Sequence, residues 1–363
     1  MRMISPLLKR AIYPSLSMAG IFHRIASSGL AVVTYHGVLP EEYEVVDPAL
    51  DGNLVTAKDL RQQLGLLKAH YNVIAPEDFL SWRRGTLQLP ERAVLIASDD
   101  GLSNCLTAML PVLKTEGVKC LFFVTGVSAG DVRGMLWYEE LFLLFLRAPV
   151  GTFEASCERV TIRGELSSRR ERRAAWWSAV KQLSQVSQEI RESILESARN
   201  RIDWDPRQRL EAETGWRSRF CLLDVEGLRE LISSGMTIGA HTLNHPMLSQ
   251  APPDLAWKEI AGSKAVLEAA LRRPVWAFAY PFGDPQSVTP QVLEMAQRAG
   301  FDAAFLNFGG GLGTELPPFA IPRVHVSAEM SLPEFEAHVS GFYMRVQRRA
   351  RASTAGVHLG HMQ

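Results

Sequence analysis

Three short stretches carry side chains able to act together on a substrate. In "LIASDDGLS" (95–103) an apolar run ends in two adjacent carboxylates, Asp99 and Asp100, followed by Gly101. "HTLNH" sets His241 and His245 four apart, and "YPFG" occupies 280–283. A carboxylate oxygen and two imidazole nitrogens suit a divalent cation such as zinc, with an open position for water. One aspartate and both histidines would complete that site, and the other aspartate would act as general base on the water. A cation also offsets the repulsion between the neighbouring carboxylates. On a helical turn, residues four apart share a face, which predicts that His241 and His245 point the same way. Each stretch has a plainer reading as well. DDG can be a turn or helix cap, HxxxH two surface or capping histidines, and YPFG a turn.

Their positions favour the joint reading. From residue 30 the chain alternates apolar strands with amphipathic helices. The spacing predicts strands at 31–38, 71–75, 93–97, 119–126, 236–240, 275–281, 301–306 and 320–326, and helices at 56–70, 76–84, 102–117, 225–235, 254–273, 288–300 and 332–350. Continuous apolar strands alternating with helices indicate a parallel sheet covered on both faces. Seven or eight such units predict an α/β fold, a distorted (β/α)7-8 barrel with a helical insertion. All three stretches then fall at the C-terminal ends of strands, where barrels gather reactive groups.

Residues 131–222 break the rhythm and are rich in Arg, Glu, Gln and Trp; they read as a helical insertion in which Trp176 and Trp177 pack or form an interface. The expected organisation is a lead-in helix (1–30), a barrel (31–130 and 223–330) interrupted by the insertion, and a C-terminal helix with a basic tail (331–363). Lys+Arg and Asp+Glu stand at 39 each, which argues against nucleic acid as a partner. Four scattered cysteines without a CxxC pair argue against a disulfide framework and fit a reducing compartment. Pro14, Ser15 and Ser17 interrupt the basic, apolar N-terminus, so it reads as an amphipathic segment suited to peripheral membrane contact rather than an export signal. The expected site of action is cytoplasmic or membrane-peripheral.

The combination resembles the polysaccharide deacetylases, the NodB-homology fold of carbohydrate esterase family 4, over roughly 30–130 and 224–326. The family's T-F-D-D-G stands here as Ala97-Ser98-Asp99-Asp100-Gly101. Its H-[ST]-x-x-H is matched by His241-Thr242-Leu243-Asn244-His245, and its P-[YF]-G by Pro281-Phe282-Gly283. "VTYHGV" resembles the branch acting on exported or capsular polysaccharides. The resemblance implies Asp99 as general base, and Asp100, His241 and His245 as ligands of a divalent metal, zinc foremost, with cobalt, nickel or manganese as alternatives. It implies that the Phe282 N–H helps hold the oxyanion and that the reaction removes acetyl groups from amino sugars. The substrate would be an acetylated polysaccharide or its glycolipid precursor.

The chain departs from that pattern at named places. The arginine many members carry shortly before the third-motif proline is absent; Ala279 and Tyr280 stand there. Arg323, in "IPRVHV", is the candidate to pair with Asp99 instead. The D-x-x-D-W motif has no counterpart, and His325 only loosely echoes the leucine–histidine motif that supplies the general acid. Alternation puts Arg323 and His325 on one strand face. Tyr280 and His36 are further candidates for the substrate side of the site. The same residues also fit an O-acetyl esterase, a cyclic-amide hydrolase, or a glycan-binding scaffold that recruits a protein partner through 131–222.

Overall fold

The computed structural model describes residues 6–26, 28–130, 134–157, 159–313 and 316–347. Ten strands are formed: β1 (Leu30–Tyr35), β2 (Asn72–Ile74), β3 (Ala93–Ser98), β4 (Leu121–Val124), β5 (Thr152–Ser156), β6 (Thr161–Glu165), β7 (Thr237–Ala240), β8 (Ala277–Ala279), β9 (Ala303–Gly309) and β10 (Ile321–His325). Neighbouring strands pair in parallel in the order β1-β10-β9-β8-β7-β4-β3, and β3 pairs back onto β1, so seven strands close a barrel. The short β2 pairs with the first residues of β3, and β4 takes over that edge at Ala97 and Ser98.

Strand alternation divides the apolar residues into two layers. Leu30, Val32, Leu95, Ala97, Phe123, Ala277, Ala279 and Phe305 fill the barrel interior. Val33, Val94, Ile96, Phe122, Val124, Ile238, Phe278 and Tyr280 face the surrounding helices. Every residue of β1, β3 and β4 is buried, as two covered faces require. Small side chains let the interior close: a Cβ on Gly239 would lie 2.6 Å from the Phe123 ring. Thr56 caps the helix Ala57–His70 by accepting from the Asp59 N–H.

The 131–222 segment is mostly helical, with helices Trp137–Arg147, Arg169–Leu183 and Gln188–Ile202 around their own apolar cluster. It also holds an antiparallel hairpin, β5–β6, which the sequence reading did not foresee. The hairpin alternates apolar Phe153, Ala155 and Ile162 with polar residues over only five residues a strand, too short to stand out beside the charged helices. At the C-terminus the helix beginning at Leu332 ends at Val339, where Ser340 and Gly341 (φ 75°) break it, and helical structure resumes over 342–347. The basic tail beyond 347 lies outside the described residues. At the N-terminus, helices Pro6–Met18 and Ile21–Ile25 precede β1. Among the described residues no helix is long and apolar enough to cross a membrane.

Candidate active site

The inward alternation continues one or two residues past the strands. After Ala97 the next inward positions on β3 end at Asp99; after Thr34 on β1 comes His36; His241 follows β7; Arg323 and His325 end β10; and Asn307 lies on β9. The Asp99 N–H donates to the Tyr35 carbonyl and the His241 N–H to that of Val124, both at 2.9 Å, so the ladders carry the side chains to the barrel mouth.

Asp99 and Asp100 point to different partners. Arg323, fully buried, donates from Nη1 to Asp99 Oδ1 at 2.7 Å and from Nη2 to Oδ2 at 2.6 Å. Its Nη1 also donates to Thr34 Oγ1 at 3.0 Å and its Nε to the Leu306 carbonyl at 2.6 Å. The bidentate fork fixes both carboxylate oxygens. Burial pushes the Asp99 carboxyl up, but the charge of the Arg323 guanidinium outweighs it and holds the group below the usual carboxylate range. The repulsion between the two aspartates is therefore relieved on the Asp99 side by the guanidinium of Arg323, the partner expected from the sequence, and not by a cation alone. Thr34 is a second member of this unit that sequence alone did not single out; its only signal is the inward parity it shares with His36.

Asp100 turns the other way, at φ 73°, followed by Gly101 at φ 72°. At Gly101 a Cβ would sit 2.9 Å from Val124, so glycine is required by both space and conformation. His245 Nε2 lies 3.2 Å and His241 Nε2 3.5 Å from Asp100 Oδ1. The ligand-type atoms of Asp100, His241 and His245 all fall within 4.8 Å of one another, and all three residues are buried. The two histidines reach this point through a loop, not along the expected helical turn. Thr242 and His245 adopt φ 63° and 55°, and Thr242 Oγ1 accepts from the His245 N–H at 2.9 Å. Buried Glu259 accepts from the Asn244 N–H and Nδ2 at 2.8 and 2.9 Å and anchors the loop to the helix Pro253–Leu271. Phe282 also sits at positive φ (60°), so four of the non-glycine residues in this strained conformation cluster at the site.

The donor chemistry fits a divalent cation. His241 Nδ1 lies 2.7 Å from the Ala279 carbonyl; donating there leaves Nε2 with the lone pair facing Asp100. Burial lowers the His245 pKa and favours its neutral, ligating form. Burial works against ionising Asp100, yet the two imidazoles beside it outweigh that and carry its carboxyl well below the ordinary range.

A cavity of about 590 Å³ opens over these groups. His36, Asp99, Asp100, His241, His245 and Phe282 line one side. The Phe282 ring stands edge-on to His245 at 5.0 Å. The opposite wall comes from the insertion: Tyr138, 4.8 Å from the His245 ring, with Glu139 and Trp177. Trp176 and Trp177 pack in the insertion as expected and line the cavity as well. Arg219, fully buried, was also missed; it donates to Asp51 Oδ1 at 2.7 Å and Glu139 Oε1 at 2.8 Å, tying the insertion to the short helix Pro48–Asp51.

Two candidates leave the site. Tyr280 has outward parity beside Phe278; it is fully buried against the helices, and its hydroxyl donates to the Phe319 carbonyl at 2.9 Å. Tyr280→Phe is accordingly expected to leave kcat unchanged and to cost about 1 kcal/mol in chemical denaturation. A fall in kcat at constant stability would return Tyr280 to the site. His325 keeps the expected inward parity but stands behind His36, whose ring meets it edge-on at 4.8 Å, with Asn307 and Asn53 oxygens each 3.3 Å from its nitrogens. Burial and the neighbouring His36 push its pKa down to about 3, so it is neutral where a proton donor is needed. His36, with Nε2 4.0 Å from Asp99 Oδ2, is the imidazole on the cavity wall.

Residues 209–304 match the family model described as polysaccharide deacetylase, a span that includes both histidines and Phe282 and leaves out Asp99 and Asp100. YxkH of Bacillus subtilis (strain 168), which carries a polysaccharide deacetylase name, is 26% identical over 117 residues. Those residues are 32% of this chain and 41% of that protein, so the chain matches only about two fifths of its relative's length. Among solved structures, the deacetylase PplD of Streptococcus pyogenes, in complex with acetate, superposes with a TM-score of 0.53 at 16% identity, covering 86% of this chain and 99% of that one. IcaB from Ammonifex degensii gives 0.53 at 19%, covering 86% and 97%. A de-N-acetylase from Aggregatibacter actinomycetemcomitans gives 0.52 at 15%, covering 85% and 99%. At these identities the structural likeness establishes the barrel fold.

Proposed function

We propose, from the premise that this chain belongs to the polysaccharide deacetylase family, that it is a metal-dependent hydrolase removing acetyl groups, N-acetyl foremost, from the amino sugars of a polysaccharide or its lipid-linked precursor. The observation that carries the reading is the convergence of Asp100, His241 and His245 within 4.8 Å beside the Asp99–Arg323 pair.

Asp100, His241 and His245 would hold a divalent cation, zinc by the donor set, which when bound acidifies water and polarises the acetyl carbonyl. Asp99, kept ionised by Arg323, takes the proton from the attacking water. Arg323 has no room to touch substrate and acts as a positioning residue. The Phe282 N–H, for which no acceptor is found among the described residues, is the candidate donor to the developing oxyanion from the loop after β8. As the C–N bond breaks, acetate is released and the leaving amine takes a proton. His36, which lines the cavity beside Asp99, is the candidate to supply it. The rings of Tyr138, Phe282 and Trp177 form an apolar wall beside the reacting centre.

Acetate release from N-acetylglucosamine oligomers and from lipid-linked acetamido glycans, with and without a chelator, tests the reading. Activity is expected to vanish on chelation and to return with zinc or cobalt. Full turnover in metal-free protein would overturn it. Running O-acetylated sugars in the same assay identifies the acyl bond cleaved.

A further inference from the structure

The helix Arg169–Leu183 opens with "RRERRAAWW", which puts arginines 169, 170, 172 and 173 against a single glutamate in its first turns. That is the positive end of a helix, where basic side chains are unfavourable. Arg172 is spent structurally, donating to the Phe145, Leu146 and Ala148 carbonyls. Arg170 and Arg173 are not: both are exposed, no described carboxylate pairs with either, and both line the cavity over Asp100, His241 and His245. With Ala174 and Trp177 they form one face of the helix at i, i+3, i+4 and i+7 spacing. That face joins the metal-type site through two ring contacts, Trp177 to Phe282 at 5.5 Å and Phe282 to His245 at 5.0 Å.

The other charged side chains on the cavity wall have protein partners. Asp99 is held by Arg323, and Glu139 Oε1 by Arg219. Asp284 Oδ1 accepts from the Gln286 and Ser287 N–H groups at 2.6 and 3.0 Å. Glu139 Oε2, in a residue 5% exposed, has no partner and offers an acceptor for a sugar hydroxyl between the two ends. The volume of about 590 Å³ lies in the range of small-ligand sites, roughly 300–1,000 Å³, rather than that of a long open groove.

We propose that the cavity takes an acetamido sugar carrying a phosphoryl group, with the acetamide at Asp100, His241 and His245, the sugar ring against Trp177 and Phe282, and the phosphoryl group at Arg170 and Arg173. Two guanidinium forks match a doubly charged phosphate or a diphosphate. The inference rests on the deacetylase reading for the acetamide end and on the arginine face for the other. A soluble nucleotide sugar and a lipid-linked glycosyl diphosphate present the same chemistry there.

The test uses the full chain, wild type and R170A/R173A. Binding to metal-free protein is measured by calorimetry for N-acetylglucosamine 1-phosphate, UDP-N-acetylglucosamine and unphosphorylated N-acetylglucosamine. Acetate release is measured on the same sugars, on neutral chitooligosaccharides, on an N-acetylated uronic acid oligomer, and on an undecaprenyl diphosphate-linked N-acetylglucosamine in detergent. Phosphorylated ligands are expected to bind about 100-fold more tightly than the neutral sugar, about tenfold for each arginine. That preference is expected to collapse towards unity in R170A/R173A and to weaken with salt. In turnover the loss is expected in KM rather than kcat, and preference for the nucleotide or the lipid-linked substrate identifies the source. Equal binding of phosphorylated and neutral sugars, a preference untouched by R170A/R173A, or a stronger preference for uronates overturns the proposal. Phosphate-dependent binding with no acetate release from any substrate would instead overturn the deacetylase reading and leave the phosphoryl site standing.

Discussion

Arg323→Met is expected to lower stability by about 3–5 kcal/mol and to move the acidic limb of the activity profile upward. The stability loss follows from burial. Asp99 and Arg323 are 1% and 0% exposed, and removing one member of such a pair strands the other charge away from water. The profile shift follows from the same contact. In the native protein burial raises the Asp99 carboxyl, while the Arg323 guanidinium more than reverses it, so the group titrates below the usual carboxylate range. A carboxylate whose folded pKa is depressed contributes stability above its unfolded value, near 4, and loses it as pH falls through the folded value. Without Arg323, burial and the neighbouring Asp100 carboxylate prevail. Asp99 then stays protonated to higher pH, and the base is lost at acidic pH values where the wild type still works. Urea unfolding at several pH values, with pH–rate profiles of both proteins, checks the two effects together. A variant with reduced stability but an unmoved acidic limb would separate Arg323 from the base and leave it a packing residue.

Asp99→Asn is expected to reduce kcat for acetate release by about 10²–10⁴-fold, the usual worth of a positioned proton acceptor. Asparagine keeps the shape and one acceptor for the guanidinium but cannot take a proton. Metal content is expected to remain at the wild-type level, because Asp100 and the two histidines are unchanged. That pairing of lost turnover with retained metal distinguishes a base from a ligand. If Asp99→Asn loses the ion as well, Asp99 is a ligand and the division of labour between the two aspartates is reversed. Equilibrium metal analysis and single-turnover acetate assays on one preparation decide it.

Most of what positions the site was legible in the sequence, because it depends on a period of two. Continuous apolar runs announced buried parallel strands, and counting inward from Ala97 or Val32 brings Asp99 and His36 to the barrel mouth. The same count, carried onto β8, would have removed Tyr280: Ala277 and Ala279 face in, so Tyr280 faces the helices. Arg323 was reached by default: the family's arginine is missing before Pro281, and the inward strand parity of Arg323 is what makes the pairing with Asp99 physically possible.

What the sequence withheld depends on backbone conformations that no periodicity encodes. The HTLNH stretch looks like a helical turn, yet its histidines meet through a loop with Thr242 and His245 at positive φ, pinned by Glu259 from a later helix. The insertion was visible as a break in rhythm. Its contribution to the cavity wall through Tyr138, Glu139 and Trp177 was not, because that depends on how its core docks onto the barrel. Arg219 illustrates the difficulty: it reads as one more charge in a charged segment, and only the fold buries it between Asp51 and Glu139.

Everything proposed for this site requires Asp100, His241 and His245 to share one cation. Titrating metal-free wild-type protein and its Asp100→Asn, His241→Gln and His245→Gln variants with cobalt, read by visible absorption and by bound metal per chain, tests it most directly. One ion per wild-type chain, with affinity lost in each of the three variants, is the predicted result. Wild-type protein that binds no ion, or a stoichiometry and affinity unchanged by replacing any of the three, would contradict the account.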